Sequence, residues 1–140
     1  MEKQKTFSVA EANKMLPLVK AIVRDIRDHY RSYARLREAL ARLERSYVLD
    51  PAPRERDRIN SLEGDLRRNS SELRSFMREL AALGVLLKDP TQGIVDFPAL
   101  LDGNSVYLCW KFDESRVAHW HGVDQGFAGR QPLFPVPSSV

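Results

Sequence analysis

Apolar residues recur at intervals of three and four along two long stretches of the chain, and polar residues fill the positions between them. This spacing places the apolar side chains on one face of a helix. It predicts helices over residues 17–48 and 54–83, each about 45 Å long at ~1.5 Å per residue. The apolar faces comprise Val19, Val23, Ile26, Tyr30, Tyr33, Leu36, Leu40, Leu43 and Tyr47, then Ile59, Leu62, Leu66, Leu73, Phe76, Leu80 and Leu83.

The N-terminal end of the first helix carries a start signal and an interruption. Ser8 followed three residues later by Glu11 predicts a capping box. Pro17 has no N–H to donate to the carbonyl of Asn13, and it restricts the residue before it. The sequence therefore predicts a short helix over residues 8–16, followed by a kink or a new start at Pro17.

Between the two long helices lie Pro51 and Pro53, which helix interiors exclude. Gly84 occupies the position of a C-terminal cap. A short connection between helices of nearly equal length predicts an antiparallel, coiled-coil-like hairpin, in which the polar Asn69 fixes the register. Because two helices alone bury little of each other, we expect a homodimer in which a second copy covers the apolar faces.

After Gly84 the pattern changes to segments rich in β-branched and aromatic residues, "VLLKD", "GIVDFPALL" and "SVYLCWKF", separated by turn residues. They predict a three-stranded antiparallel meander with turns at residues 89–93 and at Asp102-Gly103. In the third strand, alternation places Val106, Leu108 and Trp110 on one face and Tyr107, Cys109 and Lys111 on the other.

The expected fold class is therefore α+β. Residues 1–83 form the hairpin with its short N-terminal helix. Residues 84–140 form the meander and an extended proline-rich arm, "QPLFPVPSSV". The two parts are expected to make one folding unit, because 140 residues suit a single domain.

Composition restricts the cellular compartments that suit the protein. No run approaches the roughly 18 apolar residues of a membrane span, and the first residues lack the apolar core of a signal peptide. The single cysteine, Cys109, excludes an internal disulfide framework. Together these features predict a cytoplasmic protein without a membrane association.

Four segments, "TFSVAEANKMLPLV", "GIVDFPALLDG", "VYLCWKF" and "WHGVDQGFAGRQPL", resemble a bacterial family catalogued as domain of unknown function 2203. The resemblance extends over nearly the whole chain. It implies the architecture but no activity. The family pattern often carries an acidic residue after its Trp-His pair, where this chain has Gly122.

The last of these segments, together with His119 just before it, contains candidate metal ligands. On a strand, His119 and His121 would share a face, whereas on a helix His121 and Asp124 would do so. Either arrangement supplies two ligands for zinc or iron. Because paired short spacings such as Cys-x-x-Cys are absent, a structural histidine bonded to backbone or to a carboxylate is the favoured interpretation. A third ligand would come from Cys109, Asp96 or Asp113.

The same segment also contains Arg130 and two glycines. Arg130 is a candidate for bidentate hydrogen bonding to a phosphate or carboxylate. The spacing is not that of a P-loop, however, which favours a tight turn with Arg130 paired to Asp124 or Asp96. Trp120 and Phe127 are expected to anchor the turn on the meander.

A row of cations follows the first helix opposite its apolar face, interrupted by Glu38. Such a row is a candidate surface for a nucleic-acid backbone. A solvated face partly neutralised by Glu38 and Asp28 is the favoured interpretation. The cations are Lys20, Arg24, Arg27, Arg31, Arg35, Arg42 and Arg45.

The sequence gives little support for an enzyme. No nucleophile–base pair is visible, and Cys109 on a strand does not have the helix N-terminal position that lowers a thiol pKa. We therefore expect a non-catalytic, self-associating assembly module. The alternatives are a metal-binding protein centred on His121 and a nucleic-acid binder that uses the cationic helix face.

Overall fold

The protein is described by a computed structural model over residues 5–134. Its two helices are α1 (Val9–Leu49) and α2 (Pro53–Ala82), and its five strands are β1 (Leu86–Asp89), β2 (Ile94–Leu101), β3 (Asn104–Lys111), β4 (His119–Gly122) and β5 (Gln131–Pro132). The α+β class is confirmed. Most of the predicted proline-rich arm lies outside the described residues.

Helix α1 is one continuous helix of 41 residues, so the predicted break at Pro17 is wrong. The capping box is present: Glu11 N donates to Ser8 Oγ at 3.0 Å, and Ser8 N donates to Glu11 Oε1 at 2.8 Å. Pro17 is exposed, whereas Leu16 and Val19 on either side of it are buried. Apolar burial of the flanking turns therefore keeps the helix continuous at the cost of one hydrogen bond.

The helices pack as the predicted hairpin, and Asn69 lies in the interface with Nδ2 donating to the carbonyl of His29 at 2.9 Å. The helices differ in length, 41 against 30 residues, because the first turns of α1 extend over the sheet. Of the predicted apolar faces, Tyr30 is 39% exposed. Beyond Ile26 the only buried residue of α1 is Leu40, and the only buried residue of α2, Leu80, belongs to the core next to the sheet. The outer hairpin, which is the part of the two helices far from the sheet, is therefore only partly buried.

The sheet has five antiparallel strands in the order β1-β2-β3-β4-β5, so the prediction of three strands was incomplete. Both predicted turns are present, with positive φ at Gly93, Asp102 and Gly103. For β4 the sequence leaves strand and helix open, because its four residues, HWHG, give no apolar alternation. Strand β5 has only two residues, one of them Pro132.

Alternation gives the sheet two different faces. One face contributes Val95, Phe97, Leu108 and Trp110 to the core shared with α1. The intervening positions, among them Asp96, Cys109 and His121, lie on the opposite face. In residues 5–134, none of the helices has the length and apolar character to cross a membrane.

Candidate metal centre

Three side chains with ligand chemistry meet on the face of the sheet that points away from the helices. Asp96, Cys109 and His121 come from β2, β3 and β4, and each offers one ligand atom, all within 4.8 Å of one another. Strand register explains the meeting. Asp96 is the partner of Cys109 across β2 and β3, and His121 lies diagonally to both, opposite Tyr107. All three residues are at most 3% exposed.

The hydrogen bonds of His121 orient its ring. Nδ1 lies 2.8 Å from the carbonyl oxygen of Gly122, which can only accept, so Nδ1 carries the hydrogen. Nε2 lies 3.0 Å from both carboxylate oxygens of Asp96. The second ring nitrogen therefore faces the carboxylate directly. A histidine that ligates a metal through Nε2 is held in the same way, with Nδ1–H on a carbonyl.

Cys109 is fully buried beside this pair. Burial raises the pKa of its thiol to about 12, and the negative charge of Asp96 acts in the same direction. The thiol is therefore neutral near pH 7 and is a poor nucleophile. This agrees with the expectation that Cys109 does not have a lowered pKa.

A bidentate ion pair lies beside Cys109. Arg130 donates to both carboxylate oxygens of Glu114, at 2.9 and 2.5 Å, and its guanidinium lies 4.1 Å from the ring centroid of Phe127. Burial acts to raise the pKa of Glu114. The hydrogen bonds from Arg130 and from the backbone N–H of Lys111 outweigh burial and keep that pKa below its usual value. Arg130 thus pairs with Glu114, not with Asp124 or Asp96.

A pocket of about 460 Å³ opens on the other side of the cluster. Asp96 and His121 form part of its wall, whereas Cys109 is not among its lining residues. The segment after β4 forms another part of the wall, with Gln125 Oε1 accepting a hydrogen bond from Gly122 N at 2.9 Å. The pocket therefore borders Asp96 and His121, whereas Cys109 is set back from it.

Two of the remaining candidate ligands lie outside this cluster, and the third, His119, is the cross-strand partner of Cys109. Asp124 is exposed, and Asp113 lies at the surface with its carboxylate 3.8 Å from Lys111 Nζ. His119 shares the face of His121, as alternation on a strand requires. Its Nδ1 is buried without a hydrogen-bond partner in residues 5–134 and lies 3.9 Å from Glu114 Oε2.

Part of the cationic row on α1 rests on the sheet. Lys20, Arg24 and Arg27 approach the ring centroid of Phe112 at 5.6, 6.0 and 4.5 Å. Arg27 Nε also donates to the carbonyl of Thr91 at 3.1 Å. Farther along the helix, Arg31 and Arg35 are exposed, Arg35 donates to Ser32 and Arg42 pairs with Glu38. The first part of the row, from Lys20 to Arg27, thus packs against Phe112 and the turn at Thr91.

Asp96 was the least expected member of the cluster, although the sequence carries a signal for it. It stands between Val95 and Phe97 in an apolar strand, and buried carboxylates are rare unless they are paired. Its partner, His121, is 25 residues away. Only the register of β2, β3 and β4 brings the two together.

Comparisons with known proteins give a family but no ligand. The model of a family described as "Uncharacterized conserved protein (DUF2203)" matches residues 5–133. The chain shows no match to a curated protein or to a solved structure. The match covers almost all of the described fold, including β2, β3 and β4, which carry the cluster. The chain therefore belongs to the DUF2203 family.

Proposed function

We propose that this protein binds one divalent transition metal ion through the carboxylate of Asp96, the thiolate of Cys109 and Nε2 of His121. One observation carries the proposal: three different ligand atoms lie within 4.8 Å of one another in the protein interior. Chance surface clusters of acidic groups do not have this burial or this mixture of chemistry.

Charge supports the same function. A buried carboxylate is costly unless a cation accompanies it, and within residues 5–134 the side chain that is hydrogen-bonded to the carboxylate of Asp96 is that of His121. A divalent cation would neutralise the carboxylate of Asp96 and a thiolate of Cys109 together.

The ligand set selects the class of metal. Thiolate and imidazole favour zinc and neighbouring transition metals, whereas magnesium and calcium require oxygen ligands. Zinc accepts thiolate, imidazole and carboxylate in one tetrahedral site. Zinc, or iron(II) in its place, is the metal that fits these three side chains.

The decisive experiment is metal analysis of protein purified without a His-tag and dialysed against zinc. Wild type should retain about one zinc ion per chain, and Cys109→Ser, Asp96→Asn and His121→Ala should each bind at least about tenfold more weakly, because each removes one ligand. Matched controls are Asp113→Asn and His29→Gln, which lie outside the cluster and should bind zinc as wild type does. Circular dichroism confirms that each variant is folded.

Two further readouts distinguish this site from a structural ion pair. Loading with Co²⁺ should produce a thiolate-to-cobalt charge-transfer band in wild type but not in Cys109→Ser. A chelator should lower the melting temperature of zinc-loaded wild type and leave His121→Ala unchanged, because a metal that binds only the folded state stabilises it. Equal metal content in wild type and all three cluster variants would contradict the proposal.

We also propose that the hairpin associates with a second copy of the chain, as an assembly role requires. The support is that the outer hairpin is incompletely buried. At its end, Val48 and Leu49 are 79% and 87% exposed. Exposed apolar side chains gathered at one end of a helix are typical of contact surfaces. This association is independent of the metal centre, which lies on the far face of the sheet.

A further inference from the structure

The first part of the cationic row on α1 is not paired with acids. Within residues 5–134, none of the four cations from Lys20 to Arg31 lies within 4.0 Å of a carboxylate oxygen. The two acids that the sequence offered for neutralisation are placed otherwise. Glu38 pairs with Arg42 farther along the helix, and Asp28 is exposed without an ion pair in the same part of the chain. Direct ion pairs therefore do not cancel these four charges.

More cations than acids gather where the row approaches the turn after β1 and the end of β3. One cation of this surface, Lys111, has its Nζ 3.8 Å from the carboxylate of Asp113. Six cations and four acids leave an excess of two positive charges even when every neighbouring carboxylate is counted. The cations are Lys20, Arg24, Arg27, Arg31, Arg35 and Lys111, and the acids are Asp25, Asp28, Asp89 and Asp113.

The row is straight and evenly spaced. Its members follow one another at intervals of three and four residues, so neighbouring side chains are about 5–6 Å apart on one helix face. From Lys20 to Arg31 the row extends over about 16 Å at ~1.5 Å per residue, and Arg35 continues it by one turn. A line of cations matches a linear polyanion better than a compact anion.

The structure holds the first three cations of the row in place. Like charges at this spacing repel one another, and the ring of Phe112 offsets part of that repulsion through its contacts with Lys20, Arg24 and Arg27. The bond from Arg27 to the carbonyl of Thr91 uses Nε and leaves the two terminal nitrogens of the guanidinium to other acceptors. The cations are therefore arranged before a ligand binds.

A cleft of about 340 Å³ opens beside the row. Arg27 and Arg31 of α1 line it together with Lys111 and Phe112 at the end of β3, and its remaining wall comes from residues 91–92 and Asp113. The cleft exceeds the volume of one nucleobase. A base that is unstacked from a single strand can enter such a cleft, whereas a duplex keeps its bases paired inside.

We propose that this surface binds a single-stranded nucleic acid, with the phosphates along the row from Lys20 to Arg35 and one base in the cleft beside Phe112. Guanidinium groups suit this role because they bind phosphate through two parallel hydrogen bonds. Contacts of this kind do not depend on base sequence. The metal centre uses the opposite face of the sheet, so the inference goes beyond the proposed function and does not rest on it.

Fluorescence anisotropy with a labelled oligouridylate of about 15 nucleotides tests the surface. With about four phosphates neutralised, the logarithm of the association constant should fall with the logarithm of the salt concentration at a slope of about −3. Arg24→Gln with Arg31→Gln should weaken binding by at least about tenfold at low salt and reduce the slope by about half. Both positions are exposed, and Arg27 is kept because it supports the turn at Thr91.

The matched control is Arg74→Gln with Arg78→Gln, which removes the same charge from exposed positions of α2 and should bind as wild type does. Circular dichroism confirms that both double variants are folded. Equal binding by the two double variants, or no binding by wild type, overturns the assignment of the row.

Two further ligands identify the anion and the use of the cleft. An abasic strand of equal length carries the same phosphates and should bind more weakly, because it has no base for the cleft. Equal affinity for the abasic strand, or for a duplex, overturns the single-strand assignment. Phosphatidylglycerol vesicles present phosphates on a membrane and should not compete with the oligonucleotide. Vesicles that bind more tightly than the strand assign the row to a membrane surface and overturn the proposal.

Discussion

Burial decides the chemistry of Cys109. Its side chain has no exposed surface, and its pKa is raised to about 12. Alkylation requires both access and a thiolate. We expect iodoacetamide at pH 8, in the presence of a chelator, to label the folded chain at least about 100-fold more slowly than the urea-unfolded chain.

Mass spectrometry of the intact protein measures this directly, since the chain has one cysteine. The unfolded chain is the internal control for reagent activity. Fast labelling of the folded chain would show that the thiol is open to solvent, which the enclosed cluster does not allow.

The residues of the cluster were only partly predictable. Alternation places His119 and His121 on one face only if their segment is a strand, and the sequence alone left a helix equally open, with Cys109 as one of three candidates for a further ligand. The choice of Asp96 over Asp124 and Asp113 did not follow from the sequence, because it depends on which strands are neighbours and in what register. The same limit applies to Arg130, whose partner Glu114 belongs to the connection before β4.

At the scale of elements, the middle of the hairpin contains a polar contact that responds to pH. His29 Nδ1 lies 2.8 Å from the carbonyl of Asp25, and Nε2 lies 2.7 Å from Glu72 Oε2. Burial acts to lower the pKa of His29, but these contacts, together with the charges of Glu72 and Asp25, outweigh burial and raise that pKa. The protonated form of His29 thus stabilises the packing of α1 on α2.

The sign of the pH effect follows from the raised pKa. The contribution is complete below the unfolded pKa of about 6.5 and is lost as the pH rises through the higher folded value. We expect the free energy of unfolding to fall by less than about 1 kcal/mol across that window, because Glu72 is largely exposed. Urea unfolding between pH 5.5 and 8.5, with a chelator present, measures it.

Glu72→Gln removes the carboxylate and keeps the size of the side chain. The difference between wild type and this variant isolates the His29 contact from other titrating groups, because those groups are common to both proteins. A difference that stays constant from pH 5.5 to 8.5 would contradict the predicted role of His29.

The helices were predictable because their apolar period extends over many turns, and tertiary packing changed only the detail. Pro17 shows the reverse case. A local rule that ends helices was overridden by the burial of Leu16 and Val19, which the local sequence does not reveal. Strands β4 and β5 form by pairing with β3 and with each other, so four and two residues suffice where no periodicity is visible.

At the scale of the whole molecule, we expect self-association because the outer hairpin is incompletely buried. The apolar faces of two helices cover each other only in part, and a second hairpin would complete a four-helix bundle. Light scattering after size exclusion should give twice the 16.0 kDa mass of one chain. Leu40→Asp should abolish the dimer or unfold the chain, because it places a carboxylate without a partner in the interface.

A milder variant keeps this prediction testable if Leu40→Asp does not fold. Val48→Ser with Leu49→Ser changes only exposed positions, and we expect it to weaken association while leaving the helix content unchanged. Arg54→Ser, at an exposed position beside the same end of the hairpin, is the control. A monomer at tens of micromolar in wild type would contradict the dimer.

The placement of the cluster also sets an order of events during synthesis. The chain leaves the ribosome from its N-terminus, and its units fold as they emerge. All of the hairpin precedes Asp96, and the ligand set becomes complete only when His121 has been added. A newly made chain would therefore form its helices first and its inner strands next. The metal of the proposed centre would enter only after β2, β3 and β4 have paired, so that a loaded centre would mark a chain whose three inner strands are in register.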